Sequence, residues 1–175
     1  MSGELTSATY DVWVAATTLL QAVTFAAVPE GGGDGPYVWF GDPSQPSLDG
    51  GGNPPEPVEA VVVVGHIDSP AMEWGPIGQL AREEVWTFPI VVDTRIPGRS
   101  AAQARTRLAE LTSAVEQAFR TWHAGSPPAA FSVYSRWQVA VARVNPSILP
   151  AEHGYIGSAE ITVGCSFRIN KPPIV

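Results

Sequence analysis

Between residues 100 and 122 the chain carries an apolar stripe that an α-helix gathers onto one side. Leu108, Leu111, Val115, Phe119 and Trp122 recur at spacings of three and four, the period that returns a side chain to the same helix face. Ser100-Ala101-Ala102-Gln103 has the form of a capping box, in which the serine and the glutamine each accept a bond from the other's backbone N–H. Gly125 and Pro127-Pro128 supply the stop. Arg105, Arg107, Glu110, Glu116 and Arg120 fall mostly off the stripe, so the helix has an apolar side and a charged side. Such a stripe must be buried against another layer, and the residues after it offer one. Phe131, Val133, Trp137, Val139 and Val141 alternate along one predicted strand. In the next, Tyr155, Ala159, Ile161, Val163, Cys165, Phe167 and Ile169 share a face, while Ser158, Glu160, Thr162, Ser166, Arg168 and Asn170 share the other. Period-two alternation of this kind describes half-buried antiparallel strands.

The residues before the helix complete the layer. Residues 7 to 25 read as a first helix, with Ser7 or Thr9 as cap and Val12, Ala16, Leu19, Leu20 and Val23 as its stripe. Val58 to Ile67, centred on Val61-Val62-Val63-Val64, reads as a strand buried on both faces. Residues 68 to 83 read as a connection, and Glu84 to Arg95 as another strand. Pro89 cannot donate a ladder bond, so that strand is expected at an edge or with a bulge near Pro89. Residues 29 to 57 differ in composition: 15 of these 29 positions are Gly or Pro. They read as a long surface loop holding one short strand, Tyr37-Val38-Trp39-Phe40. The order is helix, three strands, helix, two strands. The expected fold class is α+β: a mostly antiparallel sheet covered by two helices, in a single domain spanning residues 1–175 with no internal repeat.

Charge bounds the partners. With 10 Lys plus Arg against 17 Asp plus Glu the formal net charge is −7, which opposes tight or sequence-specific nucleic-acid binding but does not exclude a wall past which DNA slides. No basic n-region precedes an apolar run at the start, so no signal peptide is expected, and no apolar stretch is long enough for a membrane span. The single cysteine, Cys165, excludes an internal disulfide; this fits a reducing, intracellular site of folding, and a cysteine-poor exported protein would look the same.

Candidate chemistry is sparse. No P-loop, dinucleotide fingerprint or nucleophile elbow is present. His66-Ile67-Asp68 places two metal-ligand types on one strand face, with Asp93, Glu73 or His153 as possible additions; a strand ending in polar residues before a turn explains the same residues. Cys165 with His66, His123 or His153 would make a nucleophile and base, but Cys165 faces the apolar side of its strand. Glu83-Glu84 and Glu56/Glu59 read as solvated surface charge. Trp86, Phe88, Trp122 and Trp137 read as core. Tyr37, Trp39, Phe40 and Trp74 lie in or beside irregular segments and are candidates for a partner-binding surface, with self-packing of the loop as the equal alternative. Neither a catalytic residue, a metal nor a cofactor is therefore assigned.

Three features in order resemble one family. These are the opening helix from Ser7 to Phe25; the run Glu73-Trp74-Gly75-Pro76-Ile77-Gly78 leading through Arg82-Glu83-Glu84 into Val85-Trp86-Thr87-Phe88-Pro89-Ile90-Val91-Val92; and the Arg-bearing helix Ser100 to Trp122 followed by two strands. In this organisation the whole chain resembles the tail terminator proteins of long-tailed bacteriophages. The resemblance implies a structural virion protein of the tail and neck, assembled in the host cytoplasm. It would form a homo-hexameric ring that caps the tail tube protein, stops tube growth and meets a head–tail connector or stopper protein. Phage DNA would pass through the lumen without sequence-specific binding, and no membrane would be involved. Candidate inter-subunit or partner contacts are Tyr37, Trp39, Phe40, Trp74, Arg82, Arg105, Arg107 and Glu110. Closing a ring requires two different patches to meet, and strand edges, the Pro89 strand and the C-terminal tail are the places expected to do so. Another head–tail joining component, a loop-mediated binding module and a His66/Asp68/Asp93 metal enzyme are the competing readings.

Overall fold

The computed structural model describes residues 8–28, 35–41, 59–65, 68–74, 81–124, 128, 131–132 and 134–170; for 68–74, 81–82, 123–124 and 169–170 it describes the backbone alone. Two helices, α1 (Thr9–Gln21) and α2 (Ala101–Ala124), lie with strands β1 (Tyr37–Phe40), β2 (Glu59–Val63), β3 (Asp68–Trp74), β4 (Ala81–Thr94), β5 (Arg136–Ala151) and β6 (Gly154–Asn170) in an α+β fold. The strands form one six-stranded sheet in the order β1-β2-β4-β6-β5, with β3 also paired to β4. Only β1 and β2 run parallel; the other described pairs are antiparallel.

Both helices cover the same face. α1 packs over β1 and β2, and α2 over β4, β5 and β6. The period-two pattern decides which residues they meet. Trp86, Phe88, Ile90 and Val92 of β4 and Ala159, Ile161, Val163, Cys165 and Phe167 of β6 join Val12, Ala16 and Leu20 of α1 and Leu108, Leu111, Val115 and Phe119 of α2 in one core cluster. Phe119, Trp122, Phe131, Tyr134, Trp137 and Phe167 pack at one end of it, with ring centroids 4.9 to 6.2 Å apart. On the opposite face a smaller cluster of Trp39, Ala60 and Val62 explains why β2 is buried on both sides.

The capping box at α2 forms as expected: Ser100 N–H donates to Gln103 Oε1 at 2.9 Å, and Gln103 N–H to Ser100 Oγ at 3.3 Å. α1 is shorter than the expected span of 7 to 25 and has no local side-chain cap, its N-cap being Ala8. Its cap comes from across the molecule, where the buried Glu84 carboxylate on β4 accepts the Ala8 N–H at 3.2 Å. A carboxylate against a helix N-terminus is favoured by the macrodipole as well as by the hydrogen bond.

Three expectations need correction. The connection expected over 68 to 83 contains a strand, β3, so four strands rather than three precede α2. Its register shifts between Asp68 and Ala71, around Pro70, a residue that cannot continue a regular ladder. Second, the Pro89 strand is not an edge: β4 pairs with β6 along its length on one side and with β2 and β3 on the other. Pro89 O accepts from Val64 N–H, so the side lacking a proline N–H faces the break between the end of β2 and the start of β3. The irregularity that proline demands lies on the neighbouring strands, between β2 and β3, rather than in β4. Third, Phe131 lies outside β5, in a tight turn where its N–H donates to Pro128 O, and β5 instead continues through Pro146 and Pro150. As an edge strand β5 tolerates both prolines. The remainder of the Gly/Pro-rich loop, 29–34 and 42–57, and the C-terminal tail lie outside the described residues.

Candidate interaction surface

The densest polar cluster lies between α2 and the sheet. Glu59 opens β2 in register with Val61 and Val63, which turns its side chain to the helix face, and it is 2 % exposed. Arg107 meets it bidentately, Nε to Oε1 at 2.9 Å and Nη2 to Oε2 at 2.7 Å. The same guanidinium donates to Ala26 O at 2.7 Å and to Glu110 Oε2 at 3.0 Å. Thr94 donates its hydroxyl to Glu59 Oε1 at 3.0 Å and accepts from Arg99 at 3.4 Å. Hydrogen bonding to Glu59 outweighs burial and raises the Arg107 pKa above its ordinary value. The Glu59–Arg107 pair thus ties β2, β4, α2 and the segment after α1 together. Expected as a contact for a neighbouring subunit, Arg107 is instead 2 % exposed and turned inward. Glu59 and Glu84, read as solvated charge, are buried. The signal that places them inside is their two-residue offset from Val61 and Trp86, the same alternation that marks the core.

The remaining candidates scatter. Tyr37 is 56 % exposed on β1, whereas its neighbour Trp39 is 7 % exposed, packed with Ala60 and Val62. Phe40 is half-buried and rests on Trp13, centroids 5.5 Å apart. Trp74 and Arg82 are opposed in the β3–β4 register. Arg105 and Glu110 stay at the surface. No single patch gathers all eight.

The chemical candidates resolve in other directions. His66 lies outside the described residues, Asp68 is the first residue of β3, and Asp93 pairs with Arg95 at 3.3 Å. His153 is exposed at the β5–β6 turn, beside Glu152. Among the described residues no three His, Cys, Asp or Glu side chains are placed to hold a metal. Burial pushes the Cys165 thiol well above its ordinary pKa, so at neutral pH it is a core thiol rather than a thiolate nucleophile. Tyr134 donates to Asp11 at 3.1 Å, and burial first, then that bond, raises its pKa to about 12.

Among the described residues, two clefts lie beside the helices. One, of about 460 Å³, lies between α1 and the end of α2 and is bordered by the exposed Tyr10 and Val14 with Leu19 and Trp122. The other, of about 430 Å³, separates α2 from the edge strand β5, with Leu108, Val144, Pro146 and Ile148 as its apolar lining and Arg105 at its rim. The outer side of β5 pairs with no described strand. Among the described residues no helix is long and apolar enough to cross a membrane. No protein-family model matches the sequence, and no curated protein matches it.

Proposed function

We propose that this chain is a structural subunit of a long-tailed phage virion, a tail terminator that closes into a ring on the end of the tail tube. The observation that carries the reading is the distribution of its surfaces. Buried charge is spent on holding the fold together, while among the described residues nothing pairs with the outer side of the 16-residue edge strand β5 or fills the cleft beside it. Such an edge is a ready site for another chain. The α+β layout, with α2 followed by two long strands, agrees with what the resemblance implies. A net charge of −7 suits a ring through which DNA slides, because acidic walls repel phosphate.

Light scattering and negative-stain imaging of the purified chain, alone and mixed with tail tubes, test it. Hexameric rings, free or seated on tube ends, are expected. A chain that stays monomeric at high concentration and leaves tube ends uncapped sinks the reading. A ring that binds a head-side connector but ignores the tube protein would make it a stopper or completion protein instead.

A further inference from the structure

One hydrogen bond fixes which way the backbone of β5 points. Val64 N–H donates to Pro89 O, so Pro89 turns its backbone away from β6. Along an antiparallel pair, bonded and non-bonded positions alternate. Phe88, Ile90 and Val92 therefore bond β6, and their partners Val163, Ile161 and Ala159 face β4. Thr162, Glu160 and Ser158 turn the other way and meet Arg143, Asn145 and Ser147 of β5. The bond from Ser135 N–H to Arg168 O follows the same alternation. The residues of β5 that point outward are then Val139 and Val141 before its register shift, and Val144, Pro146, Ile148 and Pro150 after it. Both prolines fall in this set, where a missing N–H costs the sheet nothing. Among the described residues, Val139, Val141 and Val144 have no backbone bond on the outer side.

The prolines divide this edge. Over 139–144 it offers N–H and C=O groups in alternation, and beyond Val144 every second donor is missing. There the ladder gives way to the apolar cleft of Leu108, Val144, Pro146 and Ile148, with Arg105 at its rim. An open ladder beside a side-chain pocket suits strand addition, in which main-chain bonds supply affinity and pockets supply selectivity.

Charge names the partner's chemistry. β5 carries Arg136 and Arg143 and no acidic residue. Both arginines are exposed on the face away from the helices. Arg136 stands directly opposite Arg168 of β6, a like-charge neighbour, and the row continues to Glu83 of β4. A carboxylate on an added strand would complete that row. Glu160, opposite Asn145, is the acidic residue that β6 sets against β5. None of Arg105, Arg136, Arg143 and Arg168 has an ion pair among the described residues. Arg136 and Arg143 bond β6, so toward an added strand they are non-bonded positions, where facing side chains come closest. A second β5 laid antiparallel on this edge would bring Arg136 of one copy toward Arg143 of the other, which opposes self-pairing.

We propose that the 139–144 edge of β5 and the cleft beside Pro146 bind an extended acidic segment of a partner protein by strand addition. Its apolar side chains lie on the helix side, beside Val139 and Val141 and into the cleft, and its carboxylates lie opposite Arg136 and Arg143. The contact goes beyond the ring reading and does not depend on it.

Fluorescence anisotropy tests it, with the full chain and a labelled peptide of alternating Glu and Val, about eight residues long. Saturable binding is expected. Lys in place of Glu in the peptide should weaken it at least about 30-fold, and Arg136→Glu with Arg143→Glu in the protein at least about 10-fold. Circular dichroism of that variant should match wild type, since both side chains are exposed. The backbone arm needs no protein variant. The peptide's Val residues pair with outward residues of β5, so N-methylation of the Val amides should weaken binding at least about 10-fold, while N-methylation of the Glu amides should leave it unchanged. No binding of the Glu peptide at millimolar concentration overturns the proposal, as do equal affinities for the two N-methylated peptides. Self-association abolished by the arginine reversals, with no peptide bound, makes a second copy the occupant and overturns it. Double-stranded DNA bound in place of peptide and released by the reversals overturns it in favour of nucleic acid. Rings on tube ends without peptide binding would sink this contact alone, and peptide binding by a chain that never caps tubes would sink the ring reading alone.

Discussion

Arg105 and Arg107 stand two residues apart on α2 and meet opposite environments. About 200° of helix rotation separates them. Arg107 turns toward β2 and is locked to Glu59, Ala26 and Glu110 by four hydrogen bonds. Arg105 turns toward β5 and stands at the rim of an open cleft without an ion pair among the described residues. The two look alike in sequence, and neither lies on the apolar stripe. The difference teaches that the charged side of this helix has two parts. One is an internal strut that completes the fold, and the other stays at the surface beside the cleft. What sorts them is the position of α2 over the sheet, with a second helix on one flank and an edge strand on the other.

Breaking the strut should have the largest effect. Arg107→Ala leaves the Glu59 carboxylate buried without its bidentate partner, and removing one member of a buried pair costs about 3–5 kcal/mol. Urea denaturation should show that loss. Replacing both residues by apolar side chains of similar volume should recover much of it, since the pair is weak as a net source of stability. Recovery would locate the penalty in the orphaned charge rather than in lost helix packing. The next effect concerns how closely α2 sits on the sheet. At Gly157 of β6 a Cβ would lie 2.9 Å from Thr94 Cγ2 and 3.2 Å from the backbone oxygen of Ala104. The helix backbone cannot yield as a flexible side chain can, so Gly157→Ala should destabilise by about 1–3 kcal/mol. An unchanged melting midpoint would mean that α2 rides higher on β6 than described.

A smaller effect is expected at the helix start. Ser100→Ala removes one half of the capping box and should cost about 1 kcal/mol in the same denaturation experiment. That cap was legible in the sequence because it is local: Ser100 and Gln103 are three residues apart, and spacing alone specifies the bond. The same holds for the stripe of α2 and the alternating face of β6, whose periods record which side is buried. The cap of α1 was not legible, because Glu84 lies 76 residues away and no local pattern announces it. β3 was missed for a related reason: Pro70 interrupts it, and its only described partner is β4. Of the candidate contacts, Tyr37 and Arg105 are at the surface as expected. Trp39 and Arg107 are not, since the burial of an aromatic or an arginine beside an irregular segment depends on what the chain brings over it.

The smallest effect on stability is expected at Arg105, and there the comparison becomes sharpest. Arg105→Ala removes an exposed side chain with no ion pair among the described residues, so unfolding free energy should change by no more than about 0.5 kcal/mol. A larger loss would mean that Arg105 also supports the fold through the aliphatic stem it lays over the cleft, and the two flanks of α2 would then differ in degree only. If stability is unchanged while binding of the acidic peptide weakens, the two arginines separate cleanly. Arg107 would hold one molecule together, and Arg105, half a helical turn away, would hold that molecule to its partner. Measuring both variants for both properties turns that contrast into a two-by-two test. Its off-diagonal outcome, a stable Arg107→Ala chain or a destabilised Arg105→Ala chain, would reverse the roles that the geometry gives them.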